Sequence, residues 1–506
     1  MENRPQWGTR AGFILAAVGS AVGLGNIWRF PATAYENGGG AFFIPYLFAL
    51  LTAGIPLLVM EFTIGHKYRG SAPMSLGRLS KGSEWIGWWQ VAVAFVISTY
   101  YAVIIAWAMS YSVFSFNLSW GEDTGGFLMG DYLNRIDLDG GAIGDFGSLV
   151  PGVLIPLLIV WAVTLGVLFA GVKKGIEVAN KIFIPALVIL FTIIVIRALT
   201  LDGAAAGLDA FFKPDWSKIT DGKVWVAAYG QIFFSLSIAF AIMITYSSYL
   251  PKKSDITNNA FITGFSNSAF ELLAGIGVFS ALGFMAAQQG VPVSEVVSAG
   301  VGLAFVVFPQ IINEFPAFNE LFGFLFFGSL VLAGLSSLIS IVETFVAGVQ
   351  EKFKISRVKA VIIGGGASAL LSLVFATQGG LFFLDAADYF INQFGVALAG
   401  LFEVIAIAWF AKELKNLQSH ANSMSDIQLG TWWRICLGLI TPVVLGYMMF
   451  DNLRTNLTTE YEGYPREFLF SWGWTVAIGA ILVGVLFTIK KRANPTTTSS
   501  SKGVSQ

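Results

Sequence analysis

Residues 16–31 read AAVGSAVGLGNIWRFP. The stretch is apolar enough to lie inside a membrane, yet Gly19, Gly23 and Gly25 interrupt it and Asn26 follows at once. Unwound backbone at membrane depth is tolerated only where it is buried or lines a cavity. A helix broken there leaves free carbonyls on one half and free N–H groups on the other. Gly19 and Gly23 also spell GxxxG, a motif for close helix packing, and the segment alone leaves that alternative open. The small residues Ala16, Ala17 and Ala21 beside an apolar run resemble a cleavable leader. The run continues through Asn26 and Arg29, however, and many further apolar runs follow.

The composition carries the same message. Of 506 residues, 55% are hydrophobic and 12% are charged. That is about half the charged share of a soluble domain. A soluble enzyme of this size needs a more charged surface. The net charge of −1 gives nothing for nucleic acid to bind. Cys436 is the single cysteine, so no disulfide forms within the chain.

A membrane helix needs about 20 mostly apolar residues. The sequence predicts an all-α integral membrane protein with twelve such spans. They lie at about 12–36, 41–65, 86–115, 150–171, 175–200, 223–250, 257–287, 319–349, 358–378, 381–411, 432–450 and 469–489. The segment 288–318 is apolar but broken by Gly and Pro. It reads as an outer loop with short helices; a thirteenth span would spoil the charge alternation. With the N-terminus inside, 22 of the 30 Lys and Arg residues fall on the cytoplasmic side. Both termini are then cytoplasmic. The polar stretch 492–506 reads as a disordered tail.

The sixth span contains QIFFSLSIAFAIMITY, with Ser235 and Ser237 near its middle and no glycine. Alone this is weak, because such hydroxyls usually bond back to their own helix. Its position, five spans after the first, is the arrangement of inverted-repeat transporters. Ionisable residues within the spans are Arg29, Glu61, Glu271, Glu343, Asp388 and Glu403, joined by Asn26, Gln231 and Asn267. Each alone can be a structural contact between helices; together they supply hard oxygen ligands suited to a cation such as Na⁺. His66 and His420, the two histidines, fall in basic cytoplasmic segments. There is no HExxH, GxSxG or P-loop, so no catalytic centre is expected and any pumping draws on a gradient.

AVGLGNIWRFP, followed by ENGGGAFFIPY, resembles the neurotransmitter:sodium symporter family in its bacterial amino-acid branch. GQIFFSLS, the serines of SSLIS and the twelve spans support the match. The resemblance implies two inverted five-helix repeats, about 10–200 and 223–411, within a transporter domain spanning 1–491. The first and sixth spans are then unwound at mid-membrane, and two peripheral helices occupy about 432–489.

The resemblance also implies two sodium sites. Asn26, Ser235, Asn267 and the carbonyl of Ala21 form the first, completed by the substrate carboxylate. The carbonyls of Gly19, Val22 and Ala333 and the hydroxyls of Ser336 and Ser337 form the second. The substrate carboxylate meets the N–H groups of Leu24 and Gly25, at a half-helix N-terminus, and the hydroxyl of Tyr101. Carbonyls around Ala21, Phe234 and Ser235 take its amine. Ile97, Ser237, Phe240 and Ile341 wall the pocket, with Ser337 beside it and Phe234 as a lid. Arg29 and Asp388 resemble an outer gate. Arg4 and Glu351, with Ser248 and Tyr249, resemble an inner one, although the family usually has Asp at the Glu351 position.

Two departures set the subclass. Monoamine carriers have Asp where Gly23 stands, so here the substrate brings its own carboxylate and an amino acid is expected. Chloride-dependent members have Ser where Glu271 stands, so a fixed carboxylate replaces chloride and no chloride requirement is expected. Ala239, where a bacterial member has Gly, narrows the pocket toward small or medium apolar side chains. The chain lacks the paired outer-loop cysteines of animal members, and a prokaryotic plasma membrane is expected. The sequons at Asn117 and Asn456 are triplets that arise often by chance. The expected partners are an amino acid, Na⁺ and the lipid bilayer, with the protein a monomer or weak dimer. An uncoupled channel would need a continuous polar pore, and the sequence shows discrete polar points instead.

Overall fold

The computed structural model describes residues 5–489. Arg4 and the tail expected over 492–506 lie outside the described residues. Among the described residues the regular structure is helical, with two isolated strand-like bridges, Gly39–Pro214 and Leu149–Thr377.

Among the described residues ten helices are long and apolar enough to cross a membrane. They are Gly40–Tyr68, Lys81–Phe114, Pro151–Phe169, Val172–Leu199, Ile256–Gln289, Asn319–Phe353, Arg357–Ala376, Gly380–Phe410, Thr431–Gly463 and Arg466–Ile489. The first span is a pair, Arg10–Ala21 and Leu24–Glu36, bent by 55° at its break. The sixth is Gly222–Ser235 and Ile242–Ser247 with a non-helical stretch, 236–241, between them. These two broken elements complete the twelve. The loop after the seventh span carries the shorter apolar helix Gly300–Asn313.

Burial separates scaffold from periphery. Over the apolar 18-residue stretch of each, the third span is 83% buried and the seventh and eighth 78%, whereas the twelfth is 22% buried and the fourth and fifth 33%. The peripheral spans are apolar on all sides because lipid, like a protein core, accepts only apolar side chains. The broken spans sit inside the buried set.

Local chemistry explains the first break. Thr9 caps Arg10–Ala21, its hydroxyl accepting from Gly12 N–H at 3.0 Å. The helix stops at Val22, and the next half opens at Leu24. Asn26 reaches back one turn so that its Oδ1 accepts from Gly23 N–H at 2.9 Å.

The sixth span breaks without a glycine. Ser237, Ala239 and Ala241 alternate in the left-handed region, with φ of 53°, 63° and 62°. Each such residue costs roughly 1–2 kcal/mol. Two side-chain contacts hold the conformation. Glu61 Oε1 accepts from Ala239 N–H at 2.7 Å, and Ser237 Oγ donates to the carbonyl of Ser20 at 2.9 Å.

The end of the bundle that holds the N-terminal segment is packed shut. Trp7 is buried, its indole N–H donating to Tyr246 O at 2.8 Å and its backbone N–H to Tyr249 O at 3.1 Å. Tyr249 donates to Glu343 at 2.8 Å, and Arg357 pairs with both oxygens of that carboxylate at 3.0 and 2.7 Å. Glu177 accepts from Gly8 N–H at 2.6 Å and from the Thr9 hydroxyl at 2.8 Å.

Candidate functional site

Asn26, Asn267 and Ser235 come from the first, seventh and sixth spans and form one polar chain. Asn26 Nδ2 donates to Asn267 Oδ1 at 2.8 Å, and Asn267 Nδ2 donates to Ser235 Oγ at 2.9 Å. Asn26 and Asn267 are fully buried, Ser235 nearly so, and Ala21 lies buried at the end of the first half-helix. These are neutral oxygen donors, the kind that suits a monovalent hard cation.

A second cluster joins the first and eighth spans. Ser337 Oγ donates to the carbonyls of Gly19 at 3.2 Å and Ser20 at 3.4 Å. A Cβ built on Gly19 would come within 2.2 Å of Ser336 Oγ, so only glycine fits there. Val22 ends the half-helix, and its carbonyl has no place in the next helical turn. Ala333 is buried one turn before Ser336 and Ser337 on the same helix. The cradle at Gly19, backed by hydroxyls and a free helix end, fits a cation held by neutral oxygens.

Between the clusters lies the break of the first span. Leu24 N–H donates to the Tyr101 hydroxyl at a long 3.4 Å. A Cβ at Gly23 would meet Tyr101 Oη at 3.0 Å and Ser337 Oγ at 3.1 Å, whereas one at Gly25 would meet nothing within 4 Å. Gly25 therefore fronts open space at the start of a half-helix. Ile97, Phe240 and Ile341 are nearly buried around this level. Ser237 turns its hydroxyl onto the Ser20 carbonyl, so it ties the two breaks together rather than standing as a free wall group.

Phe234, the expected lid, is half-buried with the Arg29 guanidinium 4.9 Å from its ring centroid. Arg29 keeps part of its surface exposed. Asp388 accepts from the Tyr100 hydroxyl at 2.7 Å and from Asn392 Nδ2 at 2.8 Å. It makes no direct ion pair with Arg29 among the described residues. At the opposite end Glu351 Oε2 accepts from Ser71 N–H at 2.9 Å and from its hydroxyl at 2.8 Å. Ser248 and Tyr249 are buried nearby in the chain turn that follows the sixth span.

Glu271 is fully buried, and the partners found for it are neutral. Tyr46 donates to one oxygen, and Gln231 Nε2 donates to the other at 2.6 Å. The Tyr46 oxygen also lies 2.8 Å from the Ser268 hydroxyl.

Sequence reasoning gave no role to three residues that the geometry brings in. Glu61 appeared only in the census of polar groups and proves to hold the sixth-span break. Tyr46 reads as one aromatic among many and meets Glu271. Asn180, a lone amide in the apolar fifth span, accepts from Ser336 Oγ at 2.6 Å. A polar residue flanked by Ile176 and Ile184 was its only signal.

The sodium:neurotransmitter symporter family model matches residues 4–134 and 130–494. An uncharacterized sodium-dependent transporter of Methanocaldococcus jannaschii is 42% identical over 96% of both chains. The sodium- and chloride-dependent GABA transporter 2 of Homo sapiens is 30% identical over 95% of this chain and 85% of its own. The crystal structure of MhsT in complex with L-phenylalanine superposes with a TM-score of 0.75 at 34% identity. That match covers 89% of this chain and all of MhsT. With the broken first and sixth spans in place around neutral oxygen clusters, these matches make the protein a sodium-coupled multi-pass membrane transporter, not an enzyme. The chain belongs to the sodium:neurotransmitter symporter family.

Proposed function

We propose that the chain imports an amino acid with a small or medium apolar side chain, together with Na⁺ at two sites and without need of chloride. The reading rests on the environment of Gly23. A side chain there would fill the space between Tyr101 and Ser337, and glycine leaves that space to the substrate. The substrate's own carboxylate then meets Leu24, Gly25 and Tyr101 at the start of a half-helix, where the dipole favours an anion. The same carboxylate completes the shell of the first Na⁺, held by Ala21, Asn26, Ser235 and Asn267. Gly19, Val22, Ala333, Ser336 and Ser337 hold the second. MhsT, a relative of the same fold, was crystallised with L-phenylalanine. Ala239 narrows the pocket of this chain below that of a member with glycine there.

Glu271 supports chloride independence. It lies among donors from Tyr46 and Gln231, groups that would suit a small anion if the carboxylate were absent. The human relative is named as sodium- and chloride-dependent and the archaeal one as sodium-dependent.

The transport cycle follows from the breaks. Half-helices that meet at a bound ion can tilt separately from their partners. Arg29 and Asp388 close one side of the site, and Arg4 with Glu351 the other. The repeats about 10–200 and 223–411 rock against one another, with 432–489 peripheral. The N-terminus is cytoplasmic and the membrane is the prokaryotic plasma membrane. Uptake of a labelled amino-acid panel into proteoliposomes, with and without an inward Na⁺ gradient, tests the reading. Uptake above equilibrium only with the gradient supports it. Equal uptake in both would identify an uncoupled facilitator.

A further inference from the structure

We infer that Asn180 of the fifth span is a positioning residue for the second cation: it takes the proton of the Ser336 hydroxyl, so that the oxygen's lone pairs face the ion. The inference rests on the proposed second sodium site.

The starting point is the way Asn180 is locked. It is fully buried, in a helix whose neighbouring inward residues are Ile184, Leu187 and Phe191. Both ends of its amide are satisfied. Nδ2 donates to the carbonyl of Ile176 at 2.9 Å, and Oδ1 accepts from Ser336 Oγ at 2.6 Å. Flipping the amide would set Oδ1 against the Ile176 carbonyl, and two acceptors repel. The oxygen is therefore held toward Ser336, and a carbonyl oxygen only accepts. Ser336 must be the donor.

The second observation is that Ser336, like Ser337, does not bond back to its own helix. Serines inside membrane helices commonly donate to a carbonyl one turn earlier in the same helix. Ser329 does so to Phe326 O at 2.7 Å, and Ser340 to Ser336 O at 3.0 Å. Ser336 instead sends its proton across to another span. A hydroxyl coordinates a cation through its oxygen lone pairs, and a proton aimed at the ion would repel it. The bond to Asn180 fixes the proton on the far side.

The third observation is where the oxygen then faces. A Cβ at Gly19 would lie 2.2 Å from Ser336 Oγ and 2.5 Å from Asn180 Oδ1. Spans one, five and eight thus converge at Gly19, whose carbonyl accepts from Ser337 Oγ. Asn180 stands behind Ser336 as the outer ligand of a metal site stands behind an inner one, setting the orientation of the group that touches the ion.

The test measures Na⁺ rather than transport alone. Purified full-length protein is titrated with Na⁺ in a K⁺ background. The readouts are the Na⁺-dependent rise of the thermal unfolding midpoint without substrate, and the Na⁺ concentration for half-maximal binding of a labelled amino acid. Asn180→Leu should raise both Na⁺ midpoints about tenfold, the scale of one lost hydrogen bond. Substrate affinity at saturating Na⁺ should stay within about threefold. Asn180→Asp, which keeps an acceptor oxygen, should retain the wild-type midpoint or a lower one. In a Ser336→Ala background, Asn180→Leu should add nothing further, because the hydroxyl it orients is gone. If Asn180→Leu fails to fold, Asn180→Ala is read in its place. An unchanged Na⁺ midpoint in Asn180→Leu, with Ser336→Ala raised, overturns the inference and leaves the second sodium site standing. An unchanged midpoint in Ser336→Ala removes that site and the inference with it.

Discussion

His66 and His420, 354 positions apart in sequence, face one another with ring nitrogens 2.9 Å apart. His66 Nε2 also lies 2.9 Å from Pro251 O and 3.0 Å from an Arg69 guanidinium nitrogen. The pair therefore joins the end of the second span, the turn after the sixth and the helix Leu414–Asn422. Burial first, and then the positive charges of Lys67 and Arg69, hold the His420 imidazole below the ordinary value of 6.5.

The sign of the pH effect follows. Above pH 6.5 this group is neutral in folded and unfolded chains alike. As the pH falls below that, the unfolded chain takes up the proton first and the folded state loses stability. Unfolding midpoints in detergent should fall as the pH drops from 7 toward 5, and His420→Gln should flatten that fall. A slope unchanged by His420→Gln would count against the assignment.

Asn26 serves twice, capping Gly23 N–H and bonding Asn267. In the sodium reading it is also a ligand. Binding of a labelled amino acid should require Na⁺, and K⁺ should not replace it. Asn26→Leu should lower binding by about a hundredfold or more, the scale of losing an ion ligand with its hydrogen bonds. Insertion into the membrane should persist. Tight binding in Na⁺-free buffer would sink this assignment.

Asp388 is held by Tyr100 and Asn392 and does not touch Arg29 directly. A gate carboxylate acts through water when the site closes. Asp388→Asn should slow transport roughly tenfold and change equilibrium binding by less than about threefold. Equal losses in both measurements would point to a binding role instead.

In the proposed reading Glu271, held by Tyr46 and Gln231, takes the place of chloride. Uptake by the wild type should be the same in chloride and in gluconate. Glu271→Ser should lower uptake in gluconate about tenfold and regain it in chloride, since breaking a buried charge arrangement costs several kcal/mol unless another ion fills it. A variant active in both media would show that the carboxylate has another task.

The two broken spans differed in legibility. In the first, three glycines and an asparagine announce the interruption, and the structure breaks the helix between Ala21 and Leu24. In the sixth, the residues from Gln231 to Tyr246 carry no glycine, and only its place five spans after the first and the family resemblance pointed to it. The reason is physical. Three L-residues take the left-handed region there, and what holds them is tertiary: Glu61 from the second span and the Ser20 carbonyl from the first. Local propensity contains neither. The short helix Gly300–Asn313 was expected, because Gly and Pro interrupt its apolar run before it reaches spanning length. Asn180 was missed for a similar reason. Its partner Ser336 is 156 residues away, and a single amide in an apolar helix does not say where it points.

The bond from Ser237 to the Ser20 carbonyl, with the two hydroxyls 3.4 Å apart, has an evolutionary corollary. Each interruption is the other's support, so neither position is free to drift alone. A change at residue 237 that removes the donor leaves the Ser20 carbonyl with only the longer 3.4 Å contact from Ser337 Oγ, and the loss is felt where residue 20 sits. Double substitution at the two sites should cost less than the sum of the single ones. Across related carriers the two residues are expected to change together or not at all.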